Sequence, residues 1–227
     1  MKPVIDLTKE YGIVLEGGGA KGAYQIGAWK ALVEAGVKIN AVAGTSVGAL
    51  NGALICMGDV DKAEKIWRDI KYSNVMDVND VWMADAMAKE RSLREIIPEV
   101  IRRISEGGVD IKPLKQLIRD NIDEKKIRES GIEFCILTFS VSKMKEIDIS
   151  IHDIPEGMLG DFLLASAYLI GFKNEKLHGQ TYLDGGMVNN VPTNSLIKRG
   201  YDDIIQIRIF GPGVKPRVKK NGKYSHT

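Results

Sequence analysis

The run Ile39-Asn40-Ala41-Val42-Ala43-Gly44-Thr45-Ser46-Val47-Gly48-Ala49-Leu50-Asn51-Gly52-Ala53-Leu54 decides the fold. It reads as a buried strand passing directly into a buried helix, with Ser46 on the bend. Gly44 and Gly48 bracket the serine as Gly-x-Ser-x-Gly, with Thr45 and Val47 between, which is the spacing of a nucleophile elbow. A serine on so sharp a turn has strained backbone, and strands and helix crowd the positions two before and two after it, so residues without a Cβ fit best there. The bend would present the hydroxyl at a helix N-terminus, where amides lack partners and the dipole favours negative charge. The motif alone fits a second description equally, a glycine-rich strand–helix turn with a capping serine.

Working outward, Tyr11-Gly12-Ile13-Val14-Leu15-Glu16 is an apolar run of strand length that breaks at Gly17-Gly18-Gly19-Ala20-Lys21-Gly22. A helix follows, with Tyr24, Ile26, Trp29, Ala31, Leu32 and Val33 falling mostly on one face and Gly36 as its stop. Strand, helix, strand, helix with crossovers of this length specify a parallel sheet covered on both faces. From Asp59 to about Glu129 the pattern becomes repeatedly helical and amphipathic, around Ala63–Arg68, Leu93–Ile97 and Leu114–Arg119, with Asp110-Ile111-Lys112-Pro113 as one helix entry. Met76, Met83, Met87 and Trp82 in this region read as core filling, or else as a helical cap whose apolar face lines an acyl-chain site. The chain returns to the sheet at Ile132–Val141, turns at Ser142-Lys143, and runs back through the alternating Lys145–Ile151 as an edge strand. Met158–Tyr168 reads as a helix and Thr181-Tyr182-Leu183 as a brief strand ending at Asp184-Gly185-Gly186. A helix after Pro192 and a strand at Ile204–Ile209 complete the domain, expected over 1–210 with the helical insertion at about 59–129. The tail, 211–227, lacks periodicity and is expected to be poorly ordered.

With 227 residues, 44% hydrophobic and 27% charged, the chain has the composition of a soluble globular domain. Its formal charge of +2 misleads, because six basic residues and no acid lie from Arg208 onward, leaving 26 basic against 30 acidic elsewhere. The body therefore offers no nucleic-acid surface. Cys56 and Cys135 sit in apolar runs and read as reduced core thiols. Met1–Asp6 has no secretory apolar region and no run is long enough to span a bilayer, so the expectation is a cytoplasmic protein, with a peripheral lipid contact left open.

The glycine loop also spells Gly-x-Gly-x-x-Gly, but a dinucleotide fingerprint needs an acid about 20 residues on, at the end of the second strand. That strand ends in Ala43-Gly44-Thr45-Ser46, so the serine elbow occupies the acid's place. A phosphate-binding Walker loop fails as well, since Lys21 precedes Gly22 rather than Ser or Thr. What remains is a loop of bare amides beside the serine strand, which is what an oxyanion hole needs, with Lys21 a solvated loop lysine or a nearby positive charge. A base for Ser46 is the open question. Of three histidines, His226 lies in the tail, and His152 and His178 precede Asp184 in hairpin or loop contexts, so a Ser-His-Asp triad is poorly supplied. Asp184 ends a strand, and Gly185-Gly186 lets its backbone approach another turn; a desolvated carboxylate there could serve as the base directly. By itself Asp-Gly-Gly is also an ordinary turn.

The three motifs in this order and spacing, framed by Leu164-Ala165-Ser166-Ala167 and Asn189-Asn190-Val191-Pro192, resemble the patatin-like phospholipase family over roughly residues 11–210. The resemblance implies a three-layer α/β/α fold with a mostly parallel central sheet and a Ser-Asp dyad acyl hydrolase. Ser46 would be the nucleophile and Asp184 the base. Amides of Gly17, Gly18, Gly19, Ala20, Lys21 and Gly22 would form the oxyanion hole, and no metal or other cofactor is implied. Substrates would be phospholipids or other acyl esters. One segment departs from the family pattern: Tyr168-Leu169-Ile170-Gly171-Phe172-Lys173-Asn174 lacks a proline and turns charged early, where the resemblance places the border of the acyl site. The alternatives carried are a non-catalytic or regulatory lipid-binding protein on the same fold, and an acyltransferase using the same acyl-enzyme.

Overall fold

Apolar residues alternate across three adjacent strands, and this alternation builds two cores of unequal size. A computed structural model describes residues 5–77, 80, 108–168, 172–173 and 175–210, together with the backbone of 219–220 and 223–224. In chain order the elements are β1 (Glu10–Leu15), α1 (Ala23–Glu34), β2 (Lys38–Thr45), α2 (Val47–Met57) and α3 (Val60–Asp69). Then come α4 (Lys112–Asn121), α5 (Glu124–Glu129), β3 (Glu133–Ser140), β4 (Lys145–Ser150), α6 (Leu159–Ser166), β5 (Tyr182–Asp184), α7 (Thr193–Ile197) and β6 (Ile204–Ile207).

The sheet runs β4-β3-β2-β1-β6, with β5 also paired to β3. The pairs β1–β2, β1–β6 and β2–β3 are parallel, whereas β3–β4 and β3–β5 are antiparallel. On one face Ile13, Leu15, Val42, Phe134 and Ile136 join Ile26, Trp29, Ala49, Ala53, Leu163 and Leu164 in the large core. On the other, Val14, Ala41, Ala43 and Cys135 pack with Leu196 of α7 in a small one. The sheet is thus covered on both faces, as the strand–helix alternation predicts, but the second layer is thin among the described residues.

Local chemistry sets the element ends. Helix α1 closes with the Val37 amide donating to Leu32 O at 3.0 Å, around Gly36 at φ 80°, a left-handed stop that glycine adopts without a Cβ penalty. Asp59 caps α3 by accepting from the Lys62 amide at 2.9 Å. Pro113 stands in the first turn of α4, where its missing N–H costs nothing. Both cysteines are free and buried; burial pushes the Cys56 thiol well up and that of Cys135 to about 12, so both stay protonated.

Some expectations fall outside the described residues: the helical pattern at Leu93–Ile97, Trp82, Met83 and Met87, positions 169–171 and 174 of the segment after α6, and His226. Lys219 pairs with Tyr224 and Lys220 with Lys223 in a short antiparallel ladder, β7 (Lys219–Lys220) with β8 (Lys223–Tyr224).

The two glycines of the elbow are a steric necessity. A Cβ on Gly44 would lie 2.3 Å from Gly48 O, and one on Gly48 would lie 2.4 Å from Leu15 O, both backbone atoms that cannot step aside. Gly27, inside α1, has nothing within 4 Å of such an atom. Gly48→Ala should therefore lower stability by at least about 1–3 kcal/mol, whereas Gly27→Ala should raise it by about 0.5–1 kcal/mol; denaturant titration of both variants checks the contrast.

Candidate active site

Ser46 and Asp184 meet because two strands end head to head on β3. β2 pairs with the first part of β3 and stops with Thr45 opposite Leu137. β5 arrives antiparallel on the continuation of β3, and its last residue, Asp184, lies opposite Thr138. The end of one strand thus faces the end of the other across a single step of β3.

Ser46 adopts φ 55° and ψ −127°, a region that costs a residue with a Cβ of order 1–3 kcal/mol. Its backbone is pinned from both sides. The Ser46 amide donates to Ser166 Oγ at 2.9 Å, and the Ser166 hydroxyl donates onward to Leu137 O at 2.6 Å. The Ser46 carbonyl accepts from the Ala49 and Leu50 amides at 2.9 and 3.2 Å, so α2 begins immediately after the bend. The side chain is buried but not sealed, at 8% exposure.

The Asp184 loop is tied down as tightly. Its amide donates to Tyr168 O at 2.8 Å, and its Oδ1 accepts from the Gly186 amide at 2.7 Å. A Cβ on Gly185 would lie 2.5 Å from Leu137 O, which is the close approach that this glycine permits. Burial pushes the Asp184 carboxyl above the usual carboxylate range, opposed in part by the neighbouring Ser46 hydroxyl and by the Gly186 amide.

The glycine loop packs against both. A Cβ on Gly17 would come within 3.2 Å of Ser46 Cβ and 2.5 Å of Asn190 Oδ1. Asn190 holds this glycine by two bonds, its carbonyl accepting from the Gly17 amide at 3.1 Å and its Nδ2 donating to Gly17 O at 2.9 Å. The Gly17 amide is therefore occupied, while those of Gly18 and Gly19 have no acceptor among the described residues. Gly19–Gly22 form one turn of 3-10 helix. Gly22 is a packing glycine, since a Cβ there would lie 2.5 Å from Val47 Cγ2 and 2.9 Å from the Trp67 ring. Lys21 lies with its ammonium 4.1 Å from the Phe210 ring centroid. Thr45 turns its hydroxyl to Asn189 O at 3.1 Å, closing the elbow onto the aspartate loop.

The described histidines stand elsewhere. His152 Nε2 lies 3.3 Å from Glu133 Oε2, and His178 Nε2 lies 2.8 Å from Asp161 Oδ2, both at the surface. Among the described residues no group of three or more His, Cys, Asp or Glu side chains could hold a metal ion. Beside α2, a small, open apolar recess is lined by Leu50, Leu54, Ile66, Trp67 and Leu117.

A family model for patatin-like phospholipases matches residues 13–197. The chain belongs to the patatin-like phospholipase family. It is 29% identical over 202 residues to neuropathy target esterase sws of Drosophila melanogaster. Over 200 residues it is 24% identical to patatin-like phospholipase domain-containing protein 7 of Rattus norvegicus. Both matches cover 87% of this chain and only 13% of the relative, so the chain spans about an eighth of the length of those proteins. Among solved structures, VipD from Legionella pneumophila aligns with a TM-score of 0.57 and 18% identity over 87% of this chain and 49% of that one, a likeness of fold. The mostly parallel sheet with helices around it is the family's fold, as the three motifs imply. No described helix is long and apolar enough to cross a membrane.

Ser166 and Asn190 were legible as framing segments but not as the residues that hold the serine and the glycine loop. Ser166→Ala would leave the buried Ser46 amide without an acceptor, at a cost of about 1–3 kcal/mol. Chemical denaturation should show that loss; unchanged stability would mean the strained bend needs no such support.

Proposed function

We propose that this protein hydrolyses acyl esters of lipids through an acyl-enzyme on Ser46, with Asp184 as general base. The observation that carries this reading is the abutment of Ser46 and Asp184 on β3, with the carboxyl desolvated and its pKa raised. A base works best with a pKa near the operating pH, and burial moves Asp184 in that direction. Family membership supports a lipid hydrolase in general terms, and the esterase and phospholipase names of the relatives point the same way.

In the proposed sequence, Ser46 Oγ attacks the ester carbonyl as its proton passes to Asp184. The negative charge on the tetrahedral oxygen meets the amides of Gly18 and Gly19, which follow the Gly17 amide that Asn190 already occupies. Collapse expels the alcohol, which takes the proton from Asp184, and leaves an acyl ester on Ser46. Water then attacks that ester, again giving a proton to Asp184, and the acid departs as Ser46 recovers its proton. The apolar recess beside α2 favours an aliphatic acyl group over a charged substrate. The substrates in view are phospholipids or other acyl esters, met at a membrane surface or free. The proposed unit is one domain over 1–210 with a helical insertion at 59–129, and location in the cytoplasm remains part of the same proposal.

Ser46→Ala and Asp184→Asn should each reduce hydrolysis of p-nitrophenyl butyrate and of phospholipid by at least about a hundredfold. A fluorophosphonate probe should attach to Ser46 and no other residue, as read by mass mapping. Full activity in both variants, or labelling elsewhere, would remove the dyad from this protein.

The raised carboxyl also fixes the sign of two pH effects. Hydrolysis needs the charged form of Asp184, so kcat/KM should climb with pH along an acid limb centred above the ordinary aspartate value of about 3.9. A carboxyl whose folded pKa is raised destabilises the fold as pH rises through that pKa and is neutral below the unfolded value. Asp184→Asn should thus melt higher than the unsubstituted protein at pH 7, with the gap closing as pH falls below the normal carboxylate range; calorimetry across pH reads this.

A further inference from the structure

Three side chains far apart in sequence form a buried relay that ends on both shoulders of the glycine loop. Trp67 Nε1 of α3 donates to Asn51 Oδ1 of α2 at 2.8 Å. Asn51 Nδ2 donates to Gly22 O at 3.0 Å and to Gln25 Oε1 of α1 at 2.8 Å. Gln25 Nε2 donates to Glu16 O at 2.7 Å. Gln25 and Asn51 are 0% and 1% exposed, so these bonds have no water to replace them.

The direction of the relay follows from its first member. An indole N–H can only donate, so it selects the oxygen of the Asn51 amide and leaves the nitrogen facing Gly22 O and Gln25. That choice presents Gln25 Oε1 to Asn51, and the Gln25 nitrogen is left for Glu16 O. One donor-only group therefore orients two amides that could otherwise invert. The two carbonyls at the far end, Glu16 O and Gly22 O, immediately bracket Gly17–Lys21. The Glu16 side chain adds a separate tie, its Oε2 accepting from the Ile209 and Phe210 amides at 2.7 and 3.0 Å. A Cβ on Gly18 would lie 2.6 Å from Ile209 Cδ1, so that tie reaches the same loop.

We infer that Gln25, Asn51 and Trp67 are positioning residues that set the Gly18 and Gly19 amides for the oxyanion, an inference resting on the acyl-hydrolase reading of the same site. None of the three reaches the reacting atoms. Their work is to hold the loop so that its amides need not reorganise as charge develops, the condition under which such donors are effective. Trp67 brings α3 into this arrangement. Its ring also touches Gly22 and lines the apolar recess, so a chain lodged there would bear on the loop through the same residue.

The test compares Asn51→Leu, Gln25→Leu and Trp67→Phe with Ser46→Ala, in hydrolysis of p-nitrophenyl butyrate and in binding of an alkyl trifluoromethyl ketone. Ser46 adds to that ketone to give a hemiketal whose oxygen stands in for the oxyanion, the serine proton passing to Asp184. Asn51→Leu and Gln25→Leu should lower kcat by about ten- to a hundredfold with KM within about twofold, below the loss expected for removing an oxyanion donor outright. Ketone affinity should fall in proportion to kcat/KM across the series. Trp67→Phe loses the N–H together with the fused pyrrole ring, freeing the Asn51 amide to invert; it should lower the melting temperature modestly and lose several-fold in kcat and in ketone affinity with KM within about twofold. Should Asn51→Leu fail to fold, Trp67→Phe and Gln25→Leu decide. If Ser46→Ala is inert while these variants keep kcat and ketone affinity, the relay is structural only and the inference is overturned, although the hydrolase reading stands. If Ser46→Ala retains hydrolysis, the acyl-enzyme on Ser46 fails and the positioning role with it.

Discussion

Strand β3 carries two neighbours in line on the same edge, and the site depends on that fact. It is parallel to β2 up to Leu137 and antiparallel to β5 from Thr138 to Ser140. Thr138, at the changeover, donates its one hydroxyl proton to Ala165 O at 2.8 Å, with Leu183 O 3.1 Å from the same oxygen. One side chain thus ties the end of α6 to the strand that delivers Asp184. The junction also brings Leu137 O to Ser166, and through it to the Ser46 amide. Shift β3 by one residue and the inward and outward faces exchange, so the alternating cores that hold β3 in register also hold the dyad geometry.

Much of this was legible because sterics speak directly through glycine. Gly44, Gly48 and Gly185 all oppose backbone carbonyls at distances no Cβ tolerates, so the positions that read as elbow and aspartate loop are those where the chain must pass close to itself. The strand–helix alternation was equally plain, since period and length are local. Asn51, Gln25 and Ser166 were harder. Each sits in a run that reads as helix on its apolar neighbours, and a polar residue there is indistinguishable from one that faces water until packing is known. The available signal was the misfit itself: Asn51 lies in α2, where nearly every other residue is buried and apolar. A buried amide in such a helix must find partners, and the partners name its role.

The second face shows the same limit. Strand alternation demands that β1, β2 and β3 be covered on both sides, but it does not say how much cover each side receives. The small residues on that face, Ala41, Ala43 and Cys135, let α7 approach the sheet closely, and Leu196 packs onto them. α7 is fixed from outside the core by Asp148, which accepts from Ser195 Oγ at 2.8 Å and from Arg199 Nη1 at 2.9 Å. Because α7 follows directly on Asn190, this ion pair steadies the residue that grips Gly17.

The site carries two unfavourable features, a serine in strained backbone and a desolvated carboxyl, and stability elsewhere has to offset both. Each is surrounded by directional bonds rather than by loose packing. Ser166 and the first turn of α2 hold the Ser46 bend, the Gly186 amide and Tyr168 O hold the Asp184 loop, and Asn190 with the Trp67–Asn51–Gln25 relay holds the glycine loop. Apolar contacts resist compression but tolerate sliding, whereas a hydrogen bond in a buried setting penalises both displacement and rotation. The three loops that have to agree within fractions of an ångström are the three held this way. The large core beneath them, being apolar throughout, supplies the free energy and leaves the geometry to the polar few.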